Sequence, residues 1–151
     1  MTNEDICAIL EQIGKLLEIT GENPFKYRAY FNAVETIRAL GGSVEELAEQ
    51  RRLSSLKGFG KALTTKITEL VDTGRLEYYE KLKQSVSPGL FDIADLPGLD
   101  RRKTGLLYLK LGVATLEDLA QACRDGRVAG VRGFNKKDQE DLLKQIERKK
   151  C

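Results

Sequence analysis

The chain has 151 residues, with 25 Lys and Arg, 23 Asp and Glu, three widely separated cysteines and no histidine. The lack of histidine excludes histidine-based catalytic triads and histidine-containing zinc sites, and the cysteine spacing argues against a disulfide framework. Because no apolar run could span a membrane and the acidic start MTNEDICAIL lacks a secretory signal, we expect an intracellular protein of the cytoplasm or nucleoid.

The small net charge hides an asymmetry along the chain. Residues 1–50 carry four Lys or Arg against nine Asp or Glu, whereas residues 51–151 carry 21 against 14. A basic second part favours a polyanionic partner such as nucleic acid. A solvated basic surface explains the same counts equally well.

Apolar residues recur at helical spacing along the whole chain, and no segment alternates convincingly at period two. The sequence therefore predicts an all-α protein, with Asn23, Ser43 and Thr115 as helix N-caps. Residues 85–90 (SVSPGL) interrupt the periodicity and predict a domain boundary. The second predicted helix begins at Pro24 and ends at Gly41 and Gly42. The others cover residues 6–17, 43–50, 61–73, 76–84, 90–95, 101–111, 115–124 and 136–149.

One motif occurs three times, as LKGFGKALTTKI, LPGLDRRKTGLL and VRGFNKKDQEDLL. Each copy has an apolar residue, any residue, glycine and an apolar residue, followed by a basic amphipathic segment. The first glycines are Gly58, Gly98 and Gly133, at spacings of 40 and 35 residues. The pattern predicts two helices joined by a tight hairpin, repeated three times.

The hairpins have the features of a phosphate site. Glycine adopts positive φ and lets its backbone approach a ligand, and the first N–H groups of the next helix lack intrahelical partners. In the first hairpin Lys57 and Lys61 flank Gly58 and Gly60, which predicts contact with nucleic-acid backbone. We expect Phe59 to pack the two helices together rather than to stack on a base.

In order along the chain, these motifs resemble the N-terminal region of bacterial X-family DNA polymerases, and the first hairpin resembles the helix-hairpin-helix DNA-binding motif. The resemblance covers nearly the whole chain, and GENPFKYRAY and PGL are its most specific segments. It implies a polymerase-beta-like, lyase-type helical domain at residues 1–84 and a second domain with two degenerate hairpins, which grips DNA, at residues 88–151. The nucleotidyl-transfer and phosphoesterase domains of the family have no counterpart in this sequence, so we expect no polymerase activity.

The second and third hairpins depart from the family pattern. Asp100 and Asn135 stand where the family usually repeats glycine, and Asp100 places a carboxylate where a phosphate would bind. Basic residues nevertheless follow both turns. The predicted DNA-contact residues here are Gly98, Arg101, Arg102, Lys103, Gly133, Lys136 and Lys137.

The resemblance also gives a role to three residues near the first hairpin. Lys66 occupies the position of a lysine that forms a Schiff base with the sugar of an abasic site. Lys26 and Tyr30 match residues that hold the 5′-phosphate, and their four-residue spacing puts them on one face of a helix. Schiff-base chemistry needs an unprotonated amine, and Thr65 stands where the family has an acidic residue. The alternative is that Lys66 only contacts a DNA phosphate.

The resemblance implies one further ligand, a Na⁺ or K⁺ ion under the first hairpin. In the family this ion is held by carbonyl groups of the turn. Those carbonyls belong here to Ser54, Leu56 and Phe59.

Three functions stay open at this point. The first is a DNA-binding protein for gapped, nicked or 5′-phosphorylated DNA in base-excision repair, working with a separate polymerase or ligase. The second is a 5′-deoxyribose-phosphate or abasic-site lyase that uses Lys66. The third is a helical protein-interaction subunit of a larger assembly. The chain also fits the N-terminal piece of a longer polymerase.

Overall fold

The computed structural model describes residues 1–150, with the backbone alone at Lys150. Every regular element in that range is a helix, which confirms the all-α prediction. A 3-10 turn at Leu53–Ser55 precedes α4. The α-helices are α1 (Asn3–Ile19), α2 (Pro24–Arg38), α3 (Val44–Glu49), α4 (Lys61–Thr73), α5 (Glu77–Ser85), α6 (Gly89–Ala94), α7 (Arg101–Leu111), α8 (Leu116–Arg124) and α9 (Lys136–Lys150).

Side-chain caps determine where three of these helices begin. The Asn23 side chain accepts a hydrogen bond from the N–H of Phe25 at the start of α2. Ser43 and Thr115 accept in the same way from the third residues of α3 and α8. A cap satisfies an amide that would otherwise lack a partner, so these starts are encoded locally. The three caps predicted from the sequence are confirmed.

Among the described residues, no helix combines the length and apolar character that crossing a membrane requires.

Residues 1–17 and 23–85 form one compact unit. Its core has two buried clusters, one around Phe59 and Ile67 and the other around Tyr27 and Leu70. Cys7 belongs to the first cluster and is fully buried, as its place in the helical pattern predicts. Burial raises the pKa of its thiol, which is consistent with a packing role.

Residues 18–22 and the chain from residue 86 onward form the other unit. A close backbone approach explains why residues 18–22 belong to it. A Cβ at Gly105 would lie 2.4 Å from the carbonyl oxygen of Glu18 and 2.7 Å from the amide nitrogen of Gly21, so only glycine fits there. The domain boundaries predicted from the sequence place residues 18–22 in the first domain. The division into domains at residues 1–84 and 88–151 stays a proposal.

Arg51 adopts a strained backbone conformation at the end of α3. Among the described residues it alone has a positive φ without being glycine, at 56°. Its N–H donates to the carbonyl of Ala48, and the N–H of Arg52 donates to that of Leu47. This left-handed residue closes the helix in the way that glycine usually does.

We therefore expect Arg51→Gly to increase the free energy of unfolding by about 1 kcal/mol, because glycine has no Cβ to clash in this conformation. The melting temperature should rise by about 3 °C for a chain of this size, as measured by circular dichroism. Arg52→Gly is the matched control, since Arg52 has a φ of −116° and glycine gains nothing there. An Arg51→Gly protein no more stable than the parent contradicts the prediction.

Candidate nucleic-acid interface

The three hairpins share one turn geometry. In each, the residue after the glycine donates its N–H to the carbonyl three residues earlier, and the glycine has a positive φ of 81°, 89° and 95° in chain order. This is the arrangement of a turn that requires glycine at its third position. The turn is therefore repeated three times. The predicted pair of α-helices flanks the second turn, as α6 and α7, whereas a 3-10 turn precedes the first turn and residues 125–135, before α9, contain no helix. The bonds are Phe59 to Leu56 (3.2 Å), Leu99 to Leu96 (3.0 Å) and Phe134 to Val131 (3.0 Å).

The second glycine of the first hairpin has a different role. Gly60 has a φ of −81° and a ψ of 180°, an extended conformation that any residue adopts, so positive φ is confined to Gly58. Gly60 is the N-cap of α4 and supplies no side-chain acceptor to the helix. A Cβ there would meet nothing within 4 Å. Helix α4 thus begins beside open space, and no side-chain cap satisfies its first N–H groups.

The second and third hairpins supply acceptors of their own. The Asp100 carboxylate accepts from the N–H of Lys103 at 2.8 Å. In the third hairpin, the Asn135 side chain accepts from the N–H of Asp138 at 2.8 Å, and the Asp138 carboxylate accepts from the N–H of Asn135 at 3.0 Å. A phosphate would have to displace these caps, whereas the first hairpin has none at this position.

Two of the predicted basic residues of the second hairpin are already engaged. Arg101 Nε donates to Glu18 Oε1 at 2.7 Å, and Lys103 Nζ donates to the carbonyl of Gly98 at 3.3 Å. Arg102 of the second hairpin is exposed. In the third hairpin, Gly133, Lys136 and Lys137 are exposed.

The first hairpin combines exposed cations with a buried ring. Lys57, Gly58, Gly60 and Lys61 are all exposed. Phe59 between the glycines is 6% exposed and belongs to a core cluster, which confirms that it packs the hairpin. A buried ring cannot stack on a base, so this hairpin offers contacts to backbone phosphate instead.

Lys66 and Tyr30 are brought together by Tyr78, a residue that the sequence did not single out. The Nζ of Lys66 lies 4.7 Å from the centroid of the Tyr78 ring. Tyr30 lies beside Tyr78, but its side chain is half-buried and packs against both core clusters, whereas Tyr78 is exposed. Burial, and then the neighbouring Tyr78, raise the pKa of Tyr30.

Lys26 lies on α2, one turn before Tyr30, and its side chain is exposed. Thr65, at the position of the family's acidic residue, donates its hydroxyl to the carbonyl of Lys61 at 2.8 Å. That bond satisfies the Thr65 hydroxyl within the helix.

The carbonyls predicted to hold a Na⁺ or K⁺ ion belong to one short segment. Ser54 lies in the 3-10 turn, and the Leu56 carbonyl accepts the turn bond from the Phe59 N–H. A carbonyl oxygen has two lone pairs, so this bond leaves capacity for a hard cation. The presence of such an ion stays a prediction. In the part of the chain that the structure describes, no group of three or more His, Cys, Asp or Glu could hold a metal ion.

Comparison with known proteins agrees with this geometry. The family model of the helix-hairpin-helix domain matches residues 1–76, half of the sequence, and the chain belongs to that family. The DNA polymerase/3'-5' exonuclease PolX of Bacillus subtilis (strain 168) is 37% identical over 146 residues, which are 97% of this chain and 25% of that protein. The chain thus spans about a quarter of the length of this relative and matches its N-terminal part. The resemblance to X-family polymerases is confirmed.

The cap in the second hairpin gives a direct test of this geometry. We expect Asp100→Ala to lower the free energy of unfolding by about 1 kcal/mol, because the N–H of Lys103 loses its acceptor. Urea denaturation measures the difference, and Asp100→Asn is the control that keeps a capping oxygen. An alanine variant as stable as the parent contradicts the assigned cap.

Proposed function

We propose that this chain binds the sugar–phosphate backbone of DNA without reading base sequence, and that its first hairpin is the principal contact. One observation carries this proposal. Helix α4 begins at Gly60 without a side-chain cap, between the exposed Lys57 and Lys61. Uncapped amides carry partial positive charge, so this helix start favours an anion.

Membership of the helix-hairpin-helix family and the similarity to the B. subtilis polymerase support the proposal that this anion is DNA. The helix-hairpin-helix model covers the first hairpin together with the helices around it. The relative is by name a DNA polymerase and exonuclease. The alignment covers 97% of this chain. We infer a function inside the cell, in the cytoplasm or nucleoid.

We further propose that the chain prefers gapped, nicked or 5′-phosphorylated DNA, as in base-excision repair. The contact of the Lys66 ammonium with the Tyr78 ring, and the position of Tyr30 beside Tyr78, support a second phosphate site on this unit. A terminal phosphate carries more charge than an internal phosphodiester, so a site with an ammonium and a hydroxyl donor favours the terminus. Lys26 is proposed to complete this site. Filling and sealing such a gap would require a separate polymerase and ligase as partners.

The double substitution Lys57→Glu and Lys61→Glu tests the main contact. We expect affinity for gapped duplex DNA to fall by about tenfold or more. The number of counterions released on binding, given by the slope of log K against log salt concentration, should fall by about two. Fluorescence anisotropy over a range of KCl concentrations measures both quantities. The matched control is Lys144→Glu with Lys149→Glu, which changes the formal charge equally on α9.

A separate variant tests the contribution of the helix amides to DNA binding while both lysines are kept. Gly60→Asp introduces the residue that the second hairpin has at this position, and aspartate is a good N-cap, so the fold should be kept. Its carboxylate should compete with phosphate for the amides and weaken binding. If neither this variant nor the double lysine variant binds DNA less tightly than the parent, the first hairpin is not the contact.

The placement of Lys66 favours a second candidate function, a 5′-deoxyribose-phosphate or abasic-site lyase. The unprotonated Nζ would add to the C1′ aldehyde, and loss of water would give an imine. Removal of a C2′ proton would then break the C3′–O bond and expel the phosphate, and hydrolysis would release the lysine. The position of Lys66 on the helix after the first hairpin, where the resembled family has its Schiff-base lysine, supports this candidate.

Borohydride trapping tests the lyase directly. Borohydride reduces the imine to a stable amine, so a lyase should form a covalent adduct with a duplex that carries an incised abasic site. The adduct should vanish in Lys66→Ala and persist in Lys57→Ala, which removes a lysine of the hairpin. Absence of an adduct, or an adduct that survives Lys66→Ala, contradicts the lyase function and leaves the binding proposal unaffected.

A further inference from the structure

Tyr78 lies in the first turn of α5 and is poorly explained by core packing. Its side chain is 37% exposed, and none of the nine residues of α5, all of them described, is buried. The ring nevertheless makes a specific contact with the Lys66 ammonium, whose Nζ lies 4.7 Å from the ring centroid. This contact joins residues from α4 and α5.

The start of α5 is fixed against α4, so this arrangement has a defined geometry. The N–H of Glu77 donates to the Glu69 carboxylate at 2.8 Å, and Leu76 beside it is buried at 2% exposure. Glu69 follows Lys66 by three residues and lies on the same side of α4. The residue before Tyr78 is thus attached to the helix that carries Lys66.

A tyrosine ring attracts an ammonium group at its face, because the ring carries partial negative charge there. Lysine has a long side chain that loses much conformational entropy when it is held in one place. A ring that already holds the ammonium removes part of this cost before any phosphate binds.

We infer that Tyr78 is a positioning residue that holds Lys66 ready for the terminal phosphate of a DNA strand. The inference rests on the proposed preference for 5′-phosphorylated ends and deepens it. Tyr78 itself need not touch the DNA, because its ring sets the place of the Lys66 ammonium.

The experiment compares affinity for a gapped duplex with a 5′-phosphate and the same duplex with a 5′-hydroxyl. In the parent the phosphate should be preferred. We expect Tyr78→Leu to reduce this preference about fivefold, the effect of losing one cation–π contact, whereas Tyr78→Phe retains most of it. Lys66→Ala should reduce the preference as well, and adding Tyr78→Leu to it should cause little further loss. A purely structural role for Tyr78 would instead give additive losses.

Two controls separate the inference from the proposed function. NMR of the free protein should show Lys66 side-chain signals displaced by the Tyr78 ring, and the displacement should vanish in Tyr78→Leu. Lys83→Ala removes the cation over the neighbouring Tyr79 ring, 4.4 Å away, and should leave the phosphate preference unchanged.

The outcomes are distinguishable. A parent with displaced Lys66 signals but no preference for the 5′-phosphate overturns the proposed end preference, and with it the role of Tyr78 in binding. A parent that prefers the phosphate overturns the inference alone if its Lys66 signals are undisplaced, or if Tyr78→Leu keeps the full preference.

Discussion

A left-handed glycine followed by an apolar residue closes each hairpin, and the placement of the candidate phosphate contacts of the hairpins depends on that turn. The positive φ at Gly58 lets the N–H of Phe59 reach back to the carbonyl of Leu56, so the chain reverses within four residues. The Phe59 ring then enters the core between the helices that the turn joins. Burial of this ring fixes the hairpin to the unit, and the flanking polar residues are left at the surface.

The same turn has two chemical outcomes, which depend on a single following residue. Gly60 gives α4 no side-chain acceptor, whereas Asp100 and Asn135 cap α7 and α9. A cap stabilises its own helix by satisfying an amide, but that amide is then less available to a ligand. Local helix stability and anion binding therefore compete for the same N–H groups. The first hairpin is the one whose sequence leaves them to a ligand.

Much of this architecture could be predicted from the sequence because its determinants are local. Helical periodicity, N-caps such as Ser43 and the glycine of each turn act within a few residues. The place of Phe59 between two glycines of the hairpin likewise predicts its packing role. The roles of Tyr78 and of residues 18–22 could not be predicted in this way. Tyr78 contacts Lys66 and Tyr30 across 12 and 48 positions, and the approach of Gly21 to Gly105 spans 84 positions, so only the folded chain reveals them.

The two candidate roles of Lys66 need opposite protonation states, and the contacts of this residue bear on the choice. A phosphate contact uses the charged ammonium, whereas imine formation uses the neutral amine. The face of an aromatic ring attracts a cation and has no comparable attraction for a neutral amine. Thr65, whose hydroxyl is already bonded to the Lys61 carbonyl, adds no acidic group beside the lysine. The position of Lys66 over Tyr78 thus suits a cation that binds phosphate better than a neutral amine that forms an imine.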